Sequence, residues 1–148
     1  MAAIHKNMKI SEIYSIDKNK RVKLPLFLAS VSAGFPSPAE DYIDKKIDLN
    51  EHLIEHDAAT FFVKVDGNSM IDSGIHSGDI LIVDRSLEVC DNKVVVAIID
   101  GEFTVKRIKK TKDALYLMPD NKKFKPIKVT EDMDFEVWGV VTYVIHRP

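Results

Sequence analysis

The dipeptide Asp100-Gly101 constrains the fold more than any other feature of this chain. It separates two apolar runs, VVVAII at 94–99 and EFTVKRI at 102–108, and Asp-Gly between such runs is the strongest short-range signal for a β-hairpin. TFFVKV and GDILIVD precede the pair, and ALYLMP and FEVWGVVTYVI follow it. From Thr60 onward the sequence therefore predicts mostly antiparallel β-structure, with Gly139 at a bulge or at a close backbone approach.

The residues before Thr60 have weaker patterns. KISEIYSI, residues 9–16, is compatible with a short helix or a strand. The segment PLFLASVSAGFPSPAEDY contains Pro25, Pro36 and Pro38, which favour extended backbone and exclude a central strand because proline has no amide hydrogen to donate. IDLNEHLIEH predicts a short helix or turn capped by Asn50. We therefore expect a mainly β fold with one or two short helices.

Charge is distributed unevenly along the 148 residues. The first 33 residues carry six Lys or Arg against two acidic residues, a net charge of +4, and since the whole chain has −2, the remainder carries −6. A duplex-DNA-binding protein needs a basic face on the fold itself, and this arm is too short for a helix-turn-helix domain. We therefore expect a solvated, flexible N-terminal arm followed by one globular domain.

The sequence shows no sign of a membrane segment, a disulfide or a bound cofactor. Cys90 is the single cysteine, which fits a reducing cytoplasm, and no apolar run approaches the roughly 18 residues of a membrane span. His52 and His56 stand four residues apart in HLIEH, but this run does not match the H-E-x-x-H of a metal-binding helix. The glycines match no phosphate-binding loop. We expect a cytoplasmic protein with no metal and no cofactor.

Ser69 lies in a polar turn, DGNSM, directly after TFFVKV. Gly67 and Asn68 tolerate positive φ angles, which can aim successive backbone amides at one point. A serine in such a turn can present its hydroxyl beside two amide donors, the arrangement of an oxyanion hole. Taken alone the signal is weak, because serines are common in turns that have no catalytic role.

A serine nucleophile needs a base, and Lys106 is the candidate. No histidine comes with a convincing acidic partner, so the remaining solution is a lysine that desolvation keeps neutral. Lys106 stands in GEFTVKRI, where strand alternation places it on the face of Thr104 and Ile108. The ordinary alternative is a solvated lysine on a hairpin. Cys90 lies in a polar run and is not expected to be a nucleophile.

Together these segments resemble the LexA/UmuD family of self-cleaving serine peptidases. GNSMIDSGIHSGDILIVD resembles the family's nucleophile segment, with G-x-S-M followed by G-D-x-L-x-V-D, and VVVAIIDGEFTVKRI resembles the segment that supplies its lysine. AGFPSPAEDYIDKKIDLN resembles the scissile region of the UmuD-type members. The separations match those members, 37 residues from Ser69 to Lys106 and 36 from Ala33 to Ser69. The resemblance spans roughly residues 25–146, and Ala33-Gly34 replaces the Cys-Gly of several UmuD-type proteins.

The resemblance implies a fold and a set of site residues. The fold is the curved antiparallel sheet of the LexA C-terminal peptidase domain, and the site has Ser69 as nucleophile, Lys106 as general base, and the amides of Ser69 and Asn68 as oxyanion donors. Cleavage between Ala33 and Gly34 removes the arm, residues 1–33, and leaves a peptidase and dimerisation domain, residues 34–148. The small side chains of Ala33 and Gly34 leave the scissile carbonyl unobstructed.

The resemblance also implies a biological role and partners. A RecA filament on single-stranded DNA stimulates self-cleavage, and the product forms a homodimer that joins a UmuC-like Y-family polymerase in the error-prone translesion synthesis (polymerase V) of the SOS response. Neither a membrane nor sequence-specific duplex DNA is an expected partner. Three alternatives remain: a non-proteolytic binding module with the same fold, a repressor relative, and a signal peptidase relative, which the missing membrane segment disfavours.

Overall fold

The computed structural model describes residues 7–15, 23–27 and 43–148. The chain divides into two compact units, one formed by Met1–Ile16 with Ala58–Pro148 and the other by Asp17–Asp57. The strands and the α-helix are β1 (Lys9–Ser15), β2 (Lys23–Phe27), β3 (Ile43–Asp48), α1 (Leu49–Leu53), β4 (Thr60–Asp66), β5 (Ile80–Asp84), β6 (Val94–Ile99), β7 (Glu102–Lys110), β8 (Leu115–Met118), β9 (Ile127–Lys128) and β10 (Phe135–Ile145). Two short 3₁₀ turns cover Asp57–Ala59 and Ile71–Ser73.

The smaller unit is a two-stranded antiparallel sheet followed by α1. β2 pairs with β3 so that Pro25 lies opposite Lys46, which is permitted because both strands of such a sheet are edges. The helix is capped by Asp48, whose Oδ1 accepts a hydrogen bond from the amide of Asn50 at 2.9 Å. The predicted cap at Asn50 was therefore wrong, since the helix begins at Leu49 and Asn50 is already inside its first turn.

The larger unit is built on one eight-stranded sheet. Its strand order is β1-β4-β5-β10-β6-β7-β8-β9, and the pairs in it are antiparallel. β1 also contacts β7, although four strands lie between them in the sheet order. The sheet must therefore curl until these two strands approach each other. This arrangement confirms the mainly β, curved antiparallel fold.

The hairpin predicted at Asp100-Gly101 is present. β6 and β7 pair with Ile99 opposite Glu102, and both turn residues have positive φ, 48° for Asp100 and 82° for Gly101, as a type I′ turn requires. The irregularity predicted at Gly139 is also present, because the β10–β6 register shifts there. A Cβ on Gly139 would lie 2.5 Å from a side-chain carbon of Val83, so this position has room only for glycine.

Alternate residues of the central strands pack into two apolar clusters, one on each face of the sheet. Val96 and Val105 belong to the first cluster, whereas Val95 and Ile108 belong to the second. Lys106 lies opposite Val95 in the β6–β7 ladder, so its side chain leaves β7 on the face of the second cluster. Among the described residues, none of the helices has the length and apolar character needed to cross a bilayer.

Part of the expected solvated arm belongs to the sheet. β1 pairs in antiparallel register with β4, and Met8, directly before β1, is completely buried in the first apolar cluster. The side chains of β1 are exposed apart from that of Ile10, which is half-buried. Main-chain pairing with the edge of the sheet therefore holds β1 in place. Because few of its side chains are buried, the apolar pattern of KISEIYSI did not distinguish a strand from a helix.

Candidate active site

Ser69 stands at the start of the turn that follows β4 and is completely buried. Gly67 has φ +104°, as the sequence suggested, but the described non-glycine residues with positive φ are Asn92 and Asp100 rather than Asn68. The turn closes through the carbonyl of Asn68, which accepts a hydrogen bond from the amide of Ile71 at 3.3 Å.

A neighbouring loop holds this turn from outside. The side-chain amide of Asn121 donates a 2.7 Å hydrogen bond to the carbonyl of Asn68, and the amide of Asp72 donates to the carbonyl of Asp120 at 2.7 Å. The carbonyl of Asn68 and the amide N–H of Ser69 belong to one planar peptide group. Because Asn121 holds that carbonyl together with the Ile71 amide, it helps to fix the direction of the Ser69 N–H.

Lys106 extends from β7 to Ser69. Its Nζ lies 3.2 Å from Ser69 Oγ, 2.9 Å from Thr104 Oγ1 and 3.2 Å from the Val105 carbonyl oxygen. The residue is 1% exposed. Burial lowers the pKa of Lys106 from 10.5 to about 8, because it removes water that stabilises the ammonium more than the neutral amine.

The hydrogen-bonding groups around Nζ also accommodate a neutral amine. A neutral amine has two N–H donors and one lone pair, so it can donate to Thr104 Oγ1 and the Val105 carbonyl while it accepts the Ser69 hydroxyl proton. The Ser69 oxygen then still accepts the hydrogen bond from the amide of Met8. With an ammonium, the Ser69 oxygen accepts from both groups, and no acceptor for its own proton is found among the described residues.

The N-terminal arm reaches this pair of groups. The amide of Met8 donates a hydrogen bond to Ser69 Oγ at 3.0 Å. A Cβ on Gly67 would lie 2.3 Å from the carbonyl oxygen of Asn7, so the close approach of the arm depends on glycine at that position. A groove beside Lys106 is lined by arm residues, by the β6–β7 hairpin and by β9, namely Asn7, Met8, Lys9, Ile99, Asp100, Glu102, Phe103, Thr104, Lys106 and Ile127.

The structure brings together some of the expected site residues. Ser69 and Lys106 are neighbours, and Asn68 lies beside them, whereas Ala33 and Gly34 lie outside the described residues. Cys90 is exposed and takes no part in this cluster.

The sequence analysis assigned no role in the site to three contributors: Met8, Thr104 and Asn121. Only Thr104 had a usable signal, because it lies two residues before Lys106 in one strand and so shares its face. Met8 and Asn121 reach the site across 61 and 53 residues of chain, respectively.

The chain is similar to proteins of one family. The family described as Peptidase S24-like matches residues 25–142. Protein MucA of Salmonella typhimurium is 42% identical over 143 residues, which are 95% of this chain and 97% of that protein. Protein SamA of Salmonella typhimurium strain LT2 is 44% identical over 123 residues, 83% of this chain and 85% of that protein.

A repressor is also similar, and it confirms the resemblance noted from the motifs. LexA repressor 1 of Xanthomonas campestris pv. campestris is 38% identical over 120 residues, which are 81% of this chain and 59% of the repressor. The chain therefore belongs to the Peptidase S24-like family, serine peptidases of the LexA/UmuD type.

Proposed function

We propose that this chain is a self-cleaving Ser–Lys endopeptidase that cuts its own Ala33–Gly34 bond. The observation that carries the proposal is the 3.2 Å separation between Lys106 Nζ and Ser69 Oγ, with both residues at most 1% exposed. A hydroxyl in hydrogen-bond contact with an amine of lowered pKa is a nucleophile paired with its base. No metal or bound cofactor is needed for this chemistry.

The reaction has two halves. Ser69 Oγ attacks the carbonyl carbon of Ala33 while its proton passes to Lys106 Nζ, and the resulting oxyanion accepts hydrogen bonds from the amides of Ser69 and Asn68. Collapse breaks the C–N bond, and Lys106 returns the proton to the departing amine of Gly34. A water deprotonated by Lys106 then hydrolyses the ester on Ser69. Each oxyanion donor in such a site lowers the barrier by about 3 kcal/mol.

The arm gives this peptidase a latent state. The amide of Met8 occupies one hydrogen-bonding position of Ser69 Oγ, and residues 7–9 line the groove beside Lys106. A scissile segment that docks at Ser69 must displace this main chain. Because the observed cleavage rate scales with the fraction of chains in the competent state, an activator that favours displacement accelerates cleavage without changing the chemistry.

The biological role follows from the resemblance of the motifs. Cleavage leaves residues 34–148 and removes an arm with a charge of +4. On this proposal, a RecA filament on single-stranded DNA stimulates the reaction in the cytoplasm. The shortened protein acts as a homodimer and as the regulatory subunit of a UmuC-like Y-family polymerase in SOS translesion synthesis.

The experiment is to map the N-terminus of any fragment formed by purified full-length protein. Incubation at about pH 10, where more of the lysine is neutral, should produce a fragment that begins at Gly34. Ser69→Ala and Lys106→Ala should both abolish it, and Cys90→Ala is the matched control that should leave it unchanged. If the intact chain persists at this pH, and also with RecA, ATP and single-stranded DNA, the protein is a binding module rather than a peptidase.

A further inference from the structure

A second cluster of reactive side chains lies away from the Ser69 turn, where the loop before β5 meets the end of β10. His76, Asp79 and His146 each direct a potential metal ligand into this cluster, and the ligand atoms all lie within 4.8 Å of one another. His146 Nδ1 is 2.6 Å from Asp79 Oδ1, and His76 Nδ1 is 3.9 Å from Asp79 Oδ2. The two imidazole rings have centroids 4.6 Å apart.

Not every polar atom of this cluster has a hydrogen-bond partner. Asp79 is 3% exposed, and its Oδ2 accepts a 2.8 Å hydrogen bond from the main-chain amide of His76. The Nδ1 atom of His76 is buried and has no hydrogen-bond partner, although the side chain as a whole is 44% exposed. A buried polar atom without a partner is destabilising, and a cation between the rings and the carboxylate would coordinate it.

The sheet fixes the positions of the three residues. Ile145, next to His146, lies opposite Ile80, next to Asp79, in the β10–β5 ladder. The main chain of Asp79 is tied twice, because its carbonyl accepts from the amide of Val65 at 3.0 Å and its amide donates to the carbonyl of His76 at 3.0 Å. The carboxylate therefore has a fixed position, and the two half-exposed imidazole rings are the parts that can adjust.

We propose that His76, Asp79 and His146 form a binding site for a divalent transition-metal ion of the Zn²⁺ class. Two imidazole nitrogens and one carboxylate oxygen are a donor set that Zn²⁺ accepts in tetrahedral geometry, with a fourth position for water or an exogenous ligand. Imidazole also binds Cu²⁺ and Ni²⁺, whereas Mg²⁺ and Ca²⁺ favour oxygen ligands. This proposal differs from the expectation, drawn from the sequence, that the chain binds no metal.

The adjustments required are small. Ligands about 2.0–2.1 Å from a tetrahedral Zn²⁺ lie about 3.3 Å from one another. The 2.6 Å contact between His146 Nδ1 and Asp79 Oδ1 must therefore open by about 0.7 Å. The most distant pair of ligand atoms, at no more than 4.8 Å, must close by at most about 1.5 Å. A bound ion would join the loop that begins β5 to the end of β10. The sequence alone does not suggest the site, since His146 stands 67 residues after Asp79.

The test is metal titration of the tag-free, full-length Cys90→Ala protein, in which the exposed thiol is absent. Co²⁺ serves as the spectroscopic substitute for Zn²⁺, and Zn²⁺ is then titrated in competition. We expect one ion per chain with the visible absorption of tetrahedral Co²⁺, and at least a tenfold loss of affinity in His76→Ala and in His146→Ala. The matched control is His52→Ala, which removes another histidine of the chain and should bind as the parent does.

A second readout is the midpoint of thermal unfolding, because a ligand that binds only the folded state raises it. Zn²⁺ should raise the midpoint of the parent and of His52→Ala, and should not raise that of His76→Ala. Both substituted histidines are half-exposed, so these variants are expected to fold. No tetrahedral Co²⁺ spectrum in the parent, or equal affinity in His76→Ala and the parent, would overturn the proposal.

Discussion

The pH dependence of self-cleavage tests the proposed dyad most directly. Only the neutral amine of Lys106 can accept the Ser69 proton, so the rate should rise with pH in proportion to the neutral fraction. With the pKa lowered to about 8, about 9% of Lys106 is neutral at pH 7, against about 0.03% for an unperturbed lysine. Burial of Lys106 therefore raises the neutral fraction of the proposed base about 300-fold at neutral pH.

The assay is the first-order rate of disappearance of intact chain, without RecA and at constant ionic strength, between about pH 6 and pH 11. The rate should increase about tenfold per pH unit below about pH 7.5 and reach a plateau above about pH 9. Cys90→Ala, which removes the single thiol of the chain, is the control and should give the same profile. A rate that still climbs at about pH 10.5 would mean that Lys106 is hydrated in the reacting state, and a flat profile would exclude it as the base.

Three further predictions concern the dyad and the residues around it. Lys106→Met should raise the free energy of unfolding by up to about 3 kcal/mol in urea titrations at neutral pH. Because the folded-state pKa of about 8 lies below the ordinary 10.5, this gain should be complete below about pH 8, fall as the pH rises, and be absent above about pH 10.5. A gain that does not depend on pH would contradict the prediction. Asn121→Leu should slow cleavage about 10- to 100-fold with an unchanged pH profile, because the Ser69 amide loses its fixed direction; a shifted profile would instead indicate a changed pKa of Lys106. Deletion of residues 1–8 should accelerate cleavage because it removes the amide that donates a hydrogen bond to Ser69 Oγ. Met8→Leu keeps this amide and should leave the rate unchanged. An unchanged or slower rate in the deletion variant would show that the arm does not restrain the site.

The parts of this protein that the sequence predicts well are those set by neighbours along the chain. The Asp100-Gly101 turn needs positive φ at both positions, and few other residue pairs supply it. Alternation within β7 is sufficient to place Lys106 on the face of Thr104. Gly139 stands out because glycine inside a strand has a limited set of explanations, and here both the bulge and the close approach are present.

The parts that the sequence predicts poorly depend on residues far apart in the chain. Burial of Met8 needs the curl of the sheet, which brings β1 to β7, and no local pattern encodes that curl. Asn121 reaches the Ser69 turn by a single side-chain hydrogen bond, and asparagine in a polar loop has many other uses. His76 and His146 meet only because β5 and β10 are adjacent. Local patterns carried little information about these long-range contacts.

The two halves of the site differ in how firmly they are held, and this difference indicates where regulation acts. β7 is paired on both sides, with β6 and β8, and Lys106 is fixed among buried neighbours, so moving it would disrupt the core. β1 is an edge strand whose side chains are mostly exposed. Its displacement loses main-chain hydrogen bonds that water can replace and the apolar burial of Met8 and Ile10. Displacement of the arm therefore requires less free energy than rearrangement of the dyad. An activator of the proposed peptidase needs only to compete with β1 and Met8, and the alignment of Ser69 with Lys106 can stay unchanged throughout.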